Sequence, residues 1–238
     1  MSRRSFFFAI GIFVCLICAA VGVVVAMVRH EQEWYTNAGV PAGPERSQLS
    51  RDFYEAFTDL LAQVGNEREW GGKVTARQVN SYFEEGLYEA KLDADLLRGK
   101  ISEPRIAFEQ DRMRLGFRYG KGVWSTIISM SLKVWVPQDD CSTVVLELES
   151  LQAGSLPVSA QSVLEEISRV LRDKDIEISW YRHNGHPAAV LRFQSNQQRS
   201  PVQLTAIQSK EGVLVIQGRT NDPALGPFPP AGPAPAGN

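Results

Sequence analysis

The sequence has few of the residues that enzymes and metalloproteins commonly use for chemistry: three cysteines and three histidines in 238 residues. Cys15 and Cys18 lie in an apolar N-terminal run, where they are interpreted as small apolar residues of a helix. Cys141 is then the single cysteine of the remaining chain, so an internal disulfide framework is excluded there. A formal net charge of -2 gives no basic field, which argues against DNA or RNA as partners.

Recognisable catalytic motifs are also missing. The sequence contains no Gly-rich phosphate loop, no G-x-S-x-G elbow and no H-E-x-x-H motif. His183 and His186 flank Asn184-Gly185, a dipeptide typical of a two-residue hairpin turn, and should face each other across it. The sequence offers no nearby carboxylate or thiol as a third metal ligand. We therefore predict no catalytic residues, no metal site, no cofactor and no enzymatic activity.

What the sequence does have is an uncharged apolar run, Phe6 to Val28, long enough as a helix to span a hydrocarbon layer of about 30 Å. Its length favours an uncleaved anchor, because the apolar part of a signal peptide usually has only about 7–15 residues; a cleaved signal peptide is the alternative. Arg3 and Arg4 precede the run and Arg29 follows it, a weak bias towards a cytoplasmic N-terminus. We predict a single-pass protein of the cell membrane with an extracytoplasmic domain.

Composition divides the chain into four segments. The tail is rich in proline and nearly free of charge, which is typical of disordered chain; an alternative is that it binds the aromatic groove of a protein partner. The predicted segments are a cytoplasmic stub and transmembrane anchor at 1–28, a linker at 29–46, an extracytoplasmic α+β domain at 47–219 and the disordered tail at 220–238.

Two helices are expected at the start of the domain. Ser50 can cap a helix from Arg51 to Val64, and Thr75 with Gln78 forms a capping box that starts a second helix at Ala76. Residues at helical spacing give the first helix one apolar face. That predicted face consists of Leu49, Phe53, Phe57, Leu60, Leu61 and Val64.

Alternating hydrophobicity then predicts an antiparallel sheet with one apolar face. A hairpin turns at Gln110-Asp111, and in a later strand Glu147 and Glu149 should point outward to solvent. Further strands are predicted at 176–181, 188–194, 202–208 and 213–217. Between them, Gly154 and Pro157 end a strand and a helix covers residues 160–172. The order of helices, strands, one helix and more strands is typical of an α+β fold.

The segments VTARQVNSYF, RMRLGFRYG, STIISMSLKVWVP and LELESLQAGSLPVSAQSVLEEI resemble the YpmS-like bacterial membrane-anchored proteins, themselves related to the tubular lipid-binding (TULIP) superfamily. The resemblance covers about residues 74–218 and is most specific in S-L-x-x-G-x-L-P-V-S, Ser150 to Ser159. It implies a TULIP-like half-barrel, in which a curved antiparallel sheet packs on amphipathic helices and leaves an apolar groove. It implies no catalytic residues.

Two sets of candidate binding residues follow. Alternate arginines on one hairpin face, Arg112, Arg114 and Arg118, could contact lipid headgroups, or form a solvated outer face. The candidate groove residues, which could equally fill a closed core, are Phe108, Leu115, Phe117, Met130, Leu132, Leu146, Leu148 and Phe193.

The predicted function is binding or transfer of lipid or another hydrophobic ligand by the anchored domain, with the membrane and lipid as partners. The alternative is a non-enzymatic, membrane-anchored scaffold or interaction module with a closed core, which recruits a protein through the proline-rich tail.

Overall fold

The computed structural model describes residues 3–89, 101–122, 125–137, 143–159, 161, 164–165, 168, 177–192 and 202–221. The helices are α1 Arg3–Arg29, α2 Glu33–Asn37, α3 Pro44–Asn66 and α4 Ala76–Glu89. The first strands are β1 Glu69–Thr75, β2 Ile101–Glu109, β3 Arg112–Tyr119, β4 Thr126–Trp135 and β5 Thr143–Ala153. The others are β6 Leu156–Pro157, β7 Glu177–His183, β8 His186–Arg192, β9 Val202–Lys210 and β10 Val213–Thr220.

The strands form two antiparallel sheets. The smaller has the order β1-β10-β9, and the larger has the order β2-β3-β4-β5-β8-β7, with the short β6 paired to β5. The predicted α+β class with antiparallel strands is confirmed, but the strands are divided between two sheets. The turns of two hairpins join these sheets, because Gly212 N donates to Phe108 O at 2.9 Å and Asp111 N donates to Ser209 O at 3.0 Å.

Local turn and cap chemistry places several elements where the sequence predicted them. Asn184 and Gly185 both have positive φ, 50° and 87°, as a two-residue hairpin turn requires. The capping box is present: Gln78 N donates to Thr75 Oγ1 at 3.2 Å, and Thr75 N donates to Gln78 Oε1 at 2.8 Å. Helix α4 begins at Ala76, as predicted.

The predicted start of the preceding helix is wrong. Helix α3 begins at Pro44, because proline at the first helical position lacks only an N–H that would have no partner anyway and already has the required φ. Ser50 therefore lies inside the helix and is buried. Phe57 and Leu61, assigned to the apolar face, are 47% and 54% exposed.

The chain between α1 and α3, predicted as a linker, is built into the domain. It contains helix α2, whose Tyr35 is fully buried and donates from Oη to Glu103 O at 2.6 Å. The Arg105 guanidinium covers the Tyr35 ring at 4.6 Å and donates to Tyr35 O at 2.8 Å. Residues 29–46 thus join α1 to β2 through a packed tyrosine.

One hydrophobic cluster of the domain lies where α4 packs on β2. Its buried side chains are Val79, Ile106 and Phe108, with Phe108 only 3% exposed. Helix α3 packs in turn on α4 and β1. Partly buried side chains complete this cluster: Phe53, Val74, Ala76, Phe83, Met113, Leu115 and Leu214.

One buried amide protects the edge of the larger sheet. Asn80 Nδ2 donates to Ile106 O and Asn80 Oδ1 accepts from Ile106 N, both at 2.8 Å, so this side chain takes the place of a further strand. Asn80→Ala is expected to lower the free energy of unfolding by about 2 kcal/mol, because two buried backbone groups lose their partners. Chemical denaturation measures the loss. Asn66→Ala, which removes an exposed bond to Ala62 O, should cost under about 0.5 kcal/mol, and equal losses would contradict the assignment.

Candidate functional site

The C-terminal end of α1 is held by the domain. The last carbonyls of a helix have no hydrogen-bond partner within the helix. Here, side-chain and backbone groups of the domain donate hydrogen bonds to them. Thr126 Oγ1 donates to Val28 O at 2.5 Å, while Ser155 donates to Met27 O from both N and Oγ, at 2.9 and 3.1 Å. We call these contacts, together with Gly154, the clamp.

Gly154 is the residue that permits this contact. Its φ is +60°, and its N–H donates to Ile127 O at 2.7 Å, which fixes the turn that ends β5. A Cβ at this position would overlap the backbone carbonyls of Met27 and Val28. The sequence predicted a bend at Gly154, and the structure adds a second reason for glycine, the close approach of α1.

A polar cleft begins directly beyond the clamp. Gln32 Nε2 donates to Gly154 O at 2.7 Å and to Gln152 Oε1 at 2.6 Å, so the chain leaving α1 is tied to β5. The cleft has a volume of about 400 Å³ and lies over β3, β4 and β5. Its lining includes Gln32, Trp34, Arg112, Arg114, Ser131 and Gln152.

Two of the three predicted headgroup arginines line this cleft, each with an acidic partner. Arg112 Nε lies 3.2 Å from Glu149, which also accepts from Ser131 Oγ at 3.3 Å. Arg114 Nε lies 2.9 Å from Glu109, and its guanidinium is 6.0 Å from the Trp34 ring. The arginine side chains remain 52% and 37% exposed, so both can reach a ligand in the cleft.

The third arginine has a different position. Arg118 binds Glu31 at 2.9 Å and Glu103 at 3.2 Å, and so connects the chain just after α1 to β2 and β3. Burial alone would lower the pKa of Arg118, but hydrogen bonds and charge from the two glutamates outweigh burial and raise it. Arg118 therefore positions the chain beside the cleft and does not line it.

The predicted groove residues that the structure describes lie on one face of the larger sheet, because the registers of β2 to β5 bring them side by side at alternate positions. Phe108 is in the core cluster with Leu115 packed against it, and Leu148 is 6% exposed. Phe117, Met130, Leu132 and Leu146 are partly buried, and Met130 also lines the polar cleft. Phe193 lies outside the described residues.

The sequence did not predict a buried carboxylate on the same sheet. Glu147, predicted to face solvent, is 4% exposed, and its two oxygens lie 3.0 Å from His183 Nδ1 and 3.0 Å from His186 Nδ1. Because an ionised carboxylate only accepts, each imidazole donates from Nδ1. Trp135 packs on His183 with ring centroids 5.3 Å apart.

The expectation that no carboxylate lies near the two histidines is therefore wrong. Burial raises the pKa of the Glu147 carboxyl, but hydrogen bonds and charge from His183 and His186 outweigh burial and lower it below its ordinary value of 4.5. No group of three His, Cys, Asp or Glu side chains in the described part of the chain could hold a metal ion. This cluster joins β5 to the tip of the β7–β8 hairpin by hydrogen bonds.

The helix predicted to cover the sheet is described at four positions, Gln161, Leu164, Glu165 and Ser168, all helical. Trp180 Nε1 on β7 donates to Ser168 Oγ at 2.6 Å. Leu164 and Trp180 line a second cavity of about 390 Å³. The predicted helix thus covers β7 at these positions.

One candidate membrane span is present among the described residues. It is assigned to Ile12–Asn37, and its apolar window of 18 residues has a mean hydropathy of 2.7 and is not buried in the domain. Because the helix is interrupted between Arg29 and Glu33 and Tyr35 is buried, the apolar part belongs to α1 and α2 belongs to the domain. No family model, curated protein or solved structure matches the chain significantly. The YpmS-like resemblance stays a prediction.

Proposed function

We propose that this protein is a single-pass membrane protein, without enzymatic activity, whose extracytoplasmic domain binds phospholipid by its headgroup in the polar cleft over β3, β4 and β5. The observation that carries the proposal is the position of this cleft. Gln32 and Trp34, which form part of its wall, follow the last residue of α1 by three and five positions. Even a fully extended chain of five residues spans only about 18 Å, so the cleft lies near the membrane surface.

The clamp supports this placement. Thr126 and Ser155 bind the end of α1 directly, so the domain is not a freely rotating body on a flexible linker. A fixed orientation presents the same cleft to the bilayer at all times. A domain attached by a flexible linker, without the contacts of the clamp, would rotate and expose each of its faces to the bilayer.

The chemistry of the cleft suits a phosphate-containing headgroup. Arg112 and Arg114 offer charged donors for phosphate, and Ser131 and Gln152 offer neutral hydrogen-bonding groups for its substituents. Glu149 suits an ammonium or hydroxyl group of the same headgroup. The TULIP-like half-barrel implied by the resemblance is part of this proposal, supported by the helical residues that cover β7.

Lipid uptake tests the proposal. Full-length protein in nanodiscs containing anionic phospholipid should retain lipid in native mass spectrometry after the disc is removed. Arg112→Gln combined with Arg114→Gln should reduce retention at least about tenfold, because hydrogen bonds to charged groups contribute about 1.5–3 kcal/mol each.

Arg77→Gln is the matched control. It also removes a positive charge that pairs with an acid, Glu45, but it lies on α4, and both of its partners are largely exposed. Retention should be unchanged in this variant. Equal losses in the two proteins would indicate general charge attraction and would refute a cleft site.

The second candidate is a membrane-anchored interaction module, favoured by the burial of Phe108 and Leu148 in a packed interior. It predicts that the purified protein carries no lipid in the same spectra. It also predicts that deletion of residues 222–238 abolishes capture of a protein partner and leaves the melting temperature unchanged.

A further inference from the structure

Helix α3 presents an apolar stripe to solvent. Tyr54, Phe57 and Leu61 are 58%, 47% and 54% exposed, and their spacing puts them within about 60° of one another around the helix. Phe53 stacks beneath Phe57 at 6.2 Å and continues the aromatic surface into the core. Three large apolar side chains exposed together on one helix are typical of a contact surface.

The end of β10 brings the C-terminal segment of the chain to this helix. Thr220 Oγ1 donates to Val64 O, near the end of α3, at 2.8 Å, and accepts from Trp70 Nε1 at 3.1 Å. Thr220 N also donates to Arg68 O at 2.8 Å. Residues 222–238 therefore leave the domain beside the C-terminal turn of α3, one turn beyond Leu61.

The proline-rich composition of residues 222–238 is suited to contact with the aromatic side chains of the stripe. Its sequence, DPALGPFPPAGPAPAGN, favours the polyproline II conformation, whose proline rings pack on aromatic side chains. Tyr54 lies ten residues before Val64, roughly 15 Å along the helix axis. About five residues in polyproline II conformation cover that distance at about 3.1 Å per residue, so the segment is long enough.

We propose that residues 222–238 bind back onto α3 of their own chain, over Tyr54, Phe57 and Leu61. The polyproline segment then covers the stripe and is itself withheld from other proteins. Displacement by a competing aromatic groove would expose the stripe and the segment together.

Thiol labelling of full-length protein in detergent tests the proposal. With Cys15, Cys18 and Cys141 replaced by alanine, Leu61→Cys should react with a maleimide about threefold or more slowly than in the same protein lacking residues 222–238, because the tethered segment is held at millimolar effective concentration. Glu55→Cys, exposed on another side of α3, should react equally in both proteins.

A second variant keeps the tail length constant. Replacing Pro227, Pro229 and Pro230 by serine should raise the labelling rate of Leu61→Cys to that of the deletion. Equal rates with and without the tail would overturn the proposal. Protection that increases with protein concentration would also overturn it, because the tail of a second copy would then cover the stripe.

Discussion

Gly154→Val is expected to lower the free energy of unfolding of the full-length protein in detergent by about 2–6 kcal/mol. A β-branched residue at a φ of +60° costs about 1–3 kcal/mol. A side chain at this position must also displace the Met27 and Val28 carbonyls, and such overpacking costs about 1–3 kcal/mol more. Chemical denaturation followed by circular dichroism measures the change.

Gly122→Val separates the two costs. Gly122 has a φ of +57°, and no atom lies within 4 Å of the position its Cβ would take, so this variant bears the backbone cost alone. It should lose about 1–3 kcal/mol. If both variants lost the same amount, the contact between the β5–β6 turn and α1 would contribute nothing, and the clamp would be refuted.

Glu147→Gln is expected to cost about 1.5–3 kcal/mol at neutral pH. The amide has one acceptor oxygen where the carboxylate has two, so only one imidazole keeps its acceptor and the charge that strengthens both bonds is lost. Glu147 itself is 4% exposed, whereas the side chains of His183 and His186 are 43% and 47% exposed, so water can replace part of the lost bonding at the imidazoles. Urea denaturation of the two proteins gives the difference.

The pH dependence of the free energy of unfolding is an independent test of what the Glu147 carboxylate contributes. Because the pKa of Glu147 is lowered in the folded protein, its contribution is complete above about pH 4.5 and is lost as the pH falls below that value. The wild-type protein should therefore lose more stability than Glu147→Gln between pH 4.5 and acid unfolding.

Glu149→Gln controls for the loss of a carboxylate from the same strand. Glu149 pairs with Arg112, which is about half exposed, and such surface pairs contribute about 0–1 kcal/mol. A loss as large as that of Glu147→Gln would contradict the distinction between a buried and a surface carboxylate.

Local chemistry allowed much of the fold to be predicted. The Thr75–Gln78 capping box, the Asn184-Gly185 turn and the Gln110-Asp111 turn between β2 and β3 each depend on residues a few positions apart, and all three are present in the structure. The bend at Gly154 was predicted for the same reason, because glycine is the residue that adopts positive φ without strain.

Contacts between distant segments account for what was missed. Glu147 alternates with apolar residues and so was expected to face water, but β8 pairs with β5 and brings His186 to its carboxylate. Nothing in the spacing of residues 147 and 186 predicts that pairing. The clamp is similar, since Met27 and Ser155 lie 128 positions apart.

Photocrosslinking tests the central claim most directly. Full-length protein in nanodiscs is irradiated with a phospholipid that carries a diazirine on its headgroup, and the labelled peptides are mapped by mass spectrometry. We predict crosslinks on the peptides that contain Trp34 and Arg114, and their loss when Arg112 and Arg114 are both replaced by glutamine. Crosslinks confined to α1, with none in the cleft, would contradict headgroup binding.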